Sequence, residues 1–172
     1  FLPTMQAMNA EGRTFKGCLY FGLMLTPNGP KVIEYNCRFG DPETQVVLPL
    51  MISDLLTVMQ ACTNGTLAKT SVRFSRKHAC CVIKASKGYP ESYKKGYRIT
   101  MSKQAAAHTF VAGAKLENGE LVTSGGRVTG TTAIAGSLEE AIKEAYRIAK
   151  GVQFENSYCR SDIGQRALQA LK

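Results

Sequence analysis

Directly after Val32-Ile33, the residues Glu34, Asn36, Arg38, Asp41 and Glu43 fall within ten positions. In a β-strand alternate side chains share a face, so Glu34 and Asn36 present a carboxylate and an amide carbonyl side by side. Such a hard-oxygen pair suits Mg2+, which takes its remaining ligands from water and nucleotide phosphates. Arg38 continues the alternation with a planar cation that can grip a phosphoryl or carboxylate group through two parallel hydrogen bonds. Together these groups describe a metal-assisted phosphoryl-transfer face, where positioning and charge neutralisation do most of the catalysis. A plain solvated sheet face is also written E-x-N-x-R. The continuation Phe39-Gly40-Asp41-Pro42 favours a site, because it turns sharply off the strand toward a helix N-terminus, itself an anion-binding feature.

Two further clusters carry candidate chemistry. In TSGGRV (123–128), Gly125 and Gly126 allow backbone N–H groups to approach a ligand closely, with Arg127 beside them. The alternative for such a pair inside a β pattern is a bulge or tight bend. In YCRSDIG (158–164), Arg160 and Asp162 precede a short helix, where Ser161 or Asp162 would serve as a plain N-cap. His78 and His108 have no evident partners and read as structural.

The elements that must position these groups follow from local signals. The apolar run 17–26, the turn PNGP (27–30) and the strand 31–37 form a hairpin centred on Asn28-Gly29. Val32, Glu34 and Asn36 then share one face, and Ile33, Tyr35 and Cys37 point to the core. Asp41 caps the following helix with Pro42 at its first position, Pro49 bends or splits that helix, and Asn64-Gly65 ends the segment. Strands are expected at 71–75 and 79–85, with a polar loop over 87–100. A second hairpin surrounds Asn118-Gly119. Ser137-Leu-Glu-Glu140 is a capping box that opens a helix stopping at Gly151. A short amphipathic helix closes the chain. The order sheet, helix, sheet, helix makes the class α+β, with a boundary near 65–80.

The bulk composition narrows the function. The chain has 172 residues, 44% of them apolar, and a formal charge of +9, so its partners are expected to be anionic. No run approaches the roughly 18 apolar residues of a membrane span. The stretch FLPTMQAMNAEGRTF shows no basic leader followed by an apolar block, so no secretory signal is expected. Six cysteines without a C-x-x-C pair, and only two histidines, argue against a zinc site and for reduced thiols in a cytoplasmic protein. Lys84, Lys87, Lys94, Lys95 and Lys103 form no compact stripe with interleaved aromatics, so nucleic acid is not signalled.

NCRFGDPETQ (36–45) resembles the signature of phosphoribosylamine–glycine ligases, ATP-grasp enzymes of purine synthesis. Further landmarks in the same order are EGRTFKGCLY (11–20), GLMLTPNGPKV (22–32), ASKGYP (85–90), GGRV (125–128) and YCRSDIGQRA (158–167), so the resemblance spans essentially the whole chain. It implies the second half of an ATP-grasp domain, an antiparallel sheet plus a long helix, over 1–70. A small antiparallel β/α C-terminal domain would follow over 71–172. It also implies that glycine is joined to 5-phosphoribosylamine through glycyl phosphate, with ATP cleaved to ADP and phosphate. By the same resemblance Glu34 and Asn36 ligate Mg2+ (or Mn2+), and Arg38 meets the transferring phosphate or the glycine carboxylate. Asp41 and Glu43 shape the glycine pocket, while Gly125, Gly126, Arg127, Arg160 and Asp162 line the phosphoribosylamine side. Ser161 stands where the family pattern carries Lys, which removes one phosphate contact. The flap and lysines that grip the nucleotide in that family would precede Phe1, so the chain alone is expected to be inactive, and the parent chain is open to further purine-pathway domains. Two alternatives remain: another ATP-grasp carboxylate–amine ligase, and a non-catalytic basic module that binds nucleic acid.

Overall fold

In the computed structural model, which describes residues 1–171, helix α1 (Leu2–Ala10) precedes a hairpin of β1 (Tyr20–Thr26) and β2 (Gly29–Asn36). The strands are antiparallel, with Tyr20 opposite Asn36 and Gly22 opposite Glu34. The turn centres on Pro27-Asn28, one residue earlier than expected. Proline's fixed φ suits the first central position, and Gly29 then opens β2 at φ 85°. The Thr26 hydroxyl donates to the Gly29 carbonyl at 2.7 Å and closes the turn. The face expected to be core is open: Ile33 is 62% and Tyr35 49% exposed. The described residues add no third strand to this hairpin. Its main cover is aromatic, with Phe21 edge-on to Phe1 at 4.5 Å and to Tyr35 at 5.1 Å.

Helix α2 (Thr44–Leu50) starts three residues after Asp41, so Asp41 is not its cap. Residues 41–43 form a turn, and the Glu43 carbonyl accepts the first helical bonds from Val46 and Val47. Pro49 lies in the last turn, and the segment splits as its fixed ring predicts. Helix α3 (Leu55–Asn64) restarts on Asp54, whose carboxylate accepts the Thr57 N–H at 2.7 Å, and it ends on the left-handed Gly65. The expected strand at 71–75 is absent. A 3-10 turn at Leu67–Lys69 leads into a single bridge, Met51 to Phe74, and the Arg73 carbonyl is shared by the Ile52 and Ser53 amides.

The chain divides into two compact units: Phe1–Asp41 with Met51–Ser75, and Pro42–Leu50 with the chain from Arg76 onward. The second unit holds β3 (His78–Ser86), β4 (Thr100–Met101), α4 (Lys103–Ala107), β5 (Thr109–Val111), β6 (Ala114–Glu117), β7 (Glu120–Thr123) and β8 (Arg127–Ala135). It continues with α5 (Leu138–Ala149), β9 (Val152–Gln153), β10 (Ser157–Tyr158) and α6 (Gln165–Ala170). Its main sheet runs β10-β3-β8-β5, antiparallel throughout, while β4–β9 and β6–β7 form two-stranded ribbons. Helix α5 buries Ala141, Ile142, Ala145, Ile148 and Ala149 at helical spacing against β3 and β8. Both bonds of its capping box form, each at 3.2 Å. Helix α2 also packs on β3 and β8, where the Thr132 hydroxyl donates to the Gln45 carbonyl at 2.8 Å. Neither Ser161 nor Asp162 caps α6, because Gly164 occupies that position at φ 82°.

Candidate functional site

In the first unit, β2 carries Glu34 and Asn36 on one face, and the Asn36 amide donates to Glu34 Oε1 at 3.1 Å. That bond fixes the amide with its carbonyl oxygen turned away from the carboxylate, so both residues keep oxygen donors on offer. Gly22 makes room for this pair. A methyl group there would sit 2.9 Å from Glu34 Cγ, and the strand register shifts at Gly22/Leu23. Gly22 was missed by sequence reasoning, although a glycine inside a strand pattern is a signal of close approach. Arg38 lies just beyond β2, where its Nη1 donates to the Phe39 carbonyl at 2.7 Å. Arg38 also lines a pocket of about 390 Å3 with Lys16, Cys37, Phe39 and residues of α3.

Asp41 and Glu43 fall in different units, Asp41 closing a segment of the first and Glu43 standing ahead of α2 in the second. Among the described residues, no group of three or more His, Cys, Asp or Glu side chains gathers where a metal would sit. Glu34 and Asn36 are therefore a two-oxygen donor set. That set fits a Mg2+ completed by phosphate oxygens and water, and would not make a closed protein cage.

In the second unit, Arg127 and Arg160 line one pocket of about 450 Å3 together with Ile83, Tyr89 and Tyr158. Arg127 begins β8, and a register shift at Lys84/Ala85 pairs it with Ala85. Arg160 is oriented by Asp162 through a two-pronged pair, Nε to Oδ1 at 2.7 Å and Nη2 to Oδ2 at 2.5 Å. Hydrogen bonding to Arg160 holds the Asp162 carboxyl below its ordinary range, and the same pair raises the Arg160 guanidinium.

Gly125 and Gly126 act through what their missing side chains permit. The Gly125 N–H is committed to the Gly113 carbonyl at 2.9 Å, and a methyl on Gly125 would lie 2.9 Å from Gly113 Cα. A methyl on Gly126 would lie 2.1 Å from Tyr89 Cδ2, so the bare glycine seats the ring that walls the pocket. Ser86 ties the pair down, its amide donating to the Gly126 carbonyl at 2.8 Å and its hydroxyl to the Gly125 carbonyl at 3.1 Å. Gly113, Tyr89 and Ser86 were not singled out from the sequence, and neither was Tyr146, whose hydroxyl reaches the 160–163 segment.

Away from these clusters, Lys84 is half-buried and donates to the Val152 carbonyl at 2.5 Å, and burial lowers its pKa. Burial, with Cys81 adjacent, pushes the Cys80 thiol up to about 11. None of the six cysteines forms a disulfide.

Comparison with known proteins places the chain among relatives of one family. The family model for the phosphoribosylglycinamide synthetase C domain matches residues 79–166, and that for the ATP-grasp (A) domain of the same synthetase matches residues 1–44. A phosphoribosylamine–glycine ligase of Caldanaerobacter subterraneus is 47% identical over 94% of this chain and 39% of that protein. A bifunctional purine biosynthetic protein of Pichia angusta is 48% identical over 97% of this chain and 22% of that protein. The crystal structure of a phosphoribosylamine–glycine ligase from Thermotoga maritima superposes with a TM-score of 0.79 at 35% identity, covering 92% of this chain and 39% of that one. The chain thus spans well under half the length of the relatives it matches.

Proposed function

The chain belongs to the phosphoribosylglycinamide synthetase family, and on that premise we propose that it serves in the ATP-dependent joining of glycine to 5-phosphoribosylamine through glycyl phosphate. Residues 1–70 are read as the second half of an ATP-grasp domain and 71–172 as the C-terminal domain. The observation that carries the reading is the convergence of Arg127 and Arg160, distant in sequence, on one pocket of about 450 Å3. Two planar cations beside aromatic and aliphatic walls suit a sugar phosphate.

Arg160, held by Asp162, and Arg127 would bind the phosphate of phosphoribosylamine, with Gly126 seating Tyr89 and Gly125 packed on Gly113 along the same side of the site. Glu34 and Asn36 would hold Mg2+ (or Mn2+), which when bound neutralises charge on the phosphates of ATP. Arg38 would orient the transferring phosphoryl group or the glycine carboxylate, and Asp41 and Glu43 are assigned to glycine. The +9 balance would attract the two anionic substrates, ATP and phosphoribosylamine. The 172-residue chain alone is proposed to be inactive, since it covers 39% of the bacterial relative. Six cysteines, none in a disulfide, support a cytoplasmic setting. Purine proteins of several functions among the relatives support further domains on the parent chain.

The test is ADP formation by the full-length protein. It should require glycine and phosphoribosylamine together, and Glu34→Gln should raise the Mg2+ concentration needed for half-maximal rate. ADP formation supported equally by another amino acid would point to a different carboxylate–amine ligase.

A further inference from the structure

The segment from Arg160 to Ile163 is bridged by a single atom from another element. The Tyr146 hydroxyl, carried on α5, donates to the Arg160 carbonyl at 2.6 Å and accepts the Ile163 N–H at 3.1 Å. In an ordinary tight turn those two backbone groups would bond each other across four residues. Here the phenol oxygen stands between them and satisfies both partners. The segment is thereby tied to α5, whose apolar face is locked on the sheet of β3 and β8.

Arg160 is therefore constrained twice. Its side chain is aimed by the fork to Asp162, and its backbone is anchored through Tyr146. The fork alone sets the guanidinium relative to its own loop. Pairing of β10 with β3 brings the chain to the sheet only as far as Tyr158, and beyond it the anchor holds the Arg160 backbone in place relative to Arg127 on β8. We propose that Tyr146 is a positioning residue that fixes the spacing between the Arg160 and Arg127 guanidinium groups in their shared pocket, and so sets the affinity of that pocket for a sugar phosphate. The proposal rests on the reading of this pocket given above.

The chemistry supports a hydroxyl in that role. A hydroxyl can donate and accept at once, so a phenol bridges a carbonyl and an amide, and a phenyl ring of the same shape bridges neither. The phenol is protonated at neutral pH at its ordinary pKa of 10.0, and burial raises that value further.

The experiment is a double-mutant cycle on the full-length protein, with ribose 5-phosphate as the probe and calorimetry as the readout. Tyr146→Phe keeps the ring and removes the bridge, and should weaken ribose 5-phosphate binding about three- to tenfold. Arg160→Ala should weaken it at least as much. In the Arg160→Ala background, Tyr146→Phe should have almost no further effect, because its action passes through Arg160. A purely structural role would give the same loss in both backgrounds, and that result, or unchanged binding in Tyr146→Phe alone, overturns the proposal. If Arg127→Ala and Arg160→Ala both leave binding unchanged, the pocket itself has been misread, and that failure is distinguishable from a failure of Tyr146.

Discussion

Gly126→Ala isolates the packing of the pocket wall. The added methyl would stand 2.1 Å from Tyr89 Cδ2 and 2.7 Å from Cε2, where ordinary van der Waals contact begins at 3.4 Å. The ring must move by more than an ångström, and it has room to do so, because Tyr89 is 40% exposed. Gly126 is not among the glycines at positive φ, so its backbone accepts a side chain without strain. The cost is therefore the displaced ring, about 1–3 kcal/mol for overpacking. At about 2–4 °C per kcal/mol for a protein of this size, thermal unfolding should come some 2–12 °C lower. The decisive comparison is with Tyr89→Ala. Once the ring is gone, so are the three atoms nearest the methyl, and the substitution should become neutral or stabilise by about 0.4–1 kcal/mol by stiffening the unfolded chain. Equal destabilisation in both backgrounds would refute the argument and move the strain to the backbone. Gly113→Ala is the matched control. Its methyl would meet the Arg127 carbonyl at 2.5 Å and Gly125 Cα at 2.8 Å, so no side-chain deletion should rescue it.

The Asp162 carboxyl should titrate below its ordinary value of 3.8 by NMR and return toward it in Arg160→Ala. Because the folded pKa is the lower one, the pairing is complete at all pH above 3.8 and is lost only as pH falls through the depressed value, so no change is expected near neutrality. Ser137→Ala removes the side-chain acceptor that caps α5 and should destabilise by about 1 kcal/mol, read as a lower unfolding temperature. Under an alkylating reagent at about pH 8, the exposed Cys37 should be modified first and Cys80, buried and pushed up to about 11, only after unfolding; the order is read by peptide mass mapping.

What was legible in the sequence was what local chemistry determines. The Asn118-Gly119 turn takes the positive φ values, 51° and 81°, that its residue types announce, and the capping box at Ser137 closes as its spacing requires. Pro49 and Gly65 likewise act where they stand. The failures are places where a neighbour decided. SVRFS has strand-like composition but finds only one bridge, at Phe74, so it remains extended coil. Asp41 has the right identity for a cap and lies two residues too early, because residues 41–43 form a turn and the Glu43 carbonyl accepts the first helical bonds. The alternation in β2 correctly put Glu34 with Asn36, yet alternation specifies only which residues share a face, and Ile33 and Tyr35 remain open.

The glycines make the same point about the site. From sequence, Gly125-Gly126 has two readings, a backbone presented to a ligand or a bulge in a strand. The structure adds a third, because the partner that needs the missing side chain is in one case Gly113 and in the other the ring of Tyr89. A missing Cβ says that something comes close, and only tertiary contacts say what. Gly22 repeats the logic across a hairpin, leaving space for the Glu34 side chain that a methyl would press at 2.9 Å. A substitution at Gly22, Gly113, Gly125 or Gly126 should thus be read through the atom it strikes. Where that atom belongs to a side chain, as at Gly22 and Gly126, the first property to change should be the site that side chain serves. Where it belongs to the backbone, as at Gly113 and Gly125, the fold should yield first.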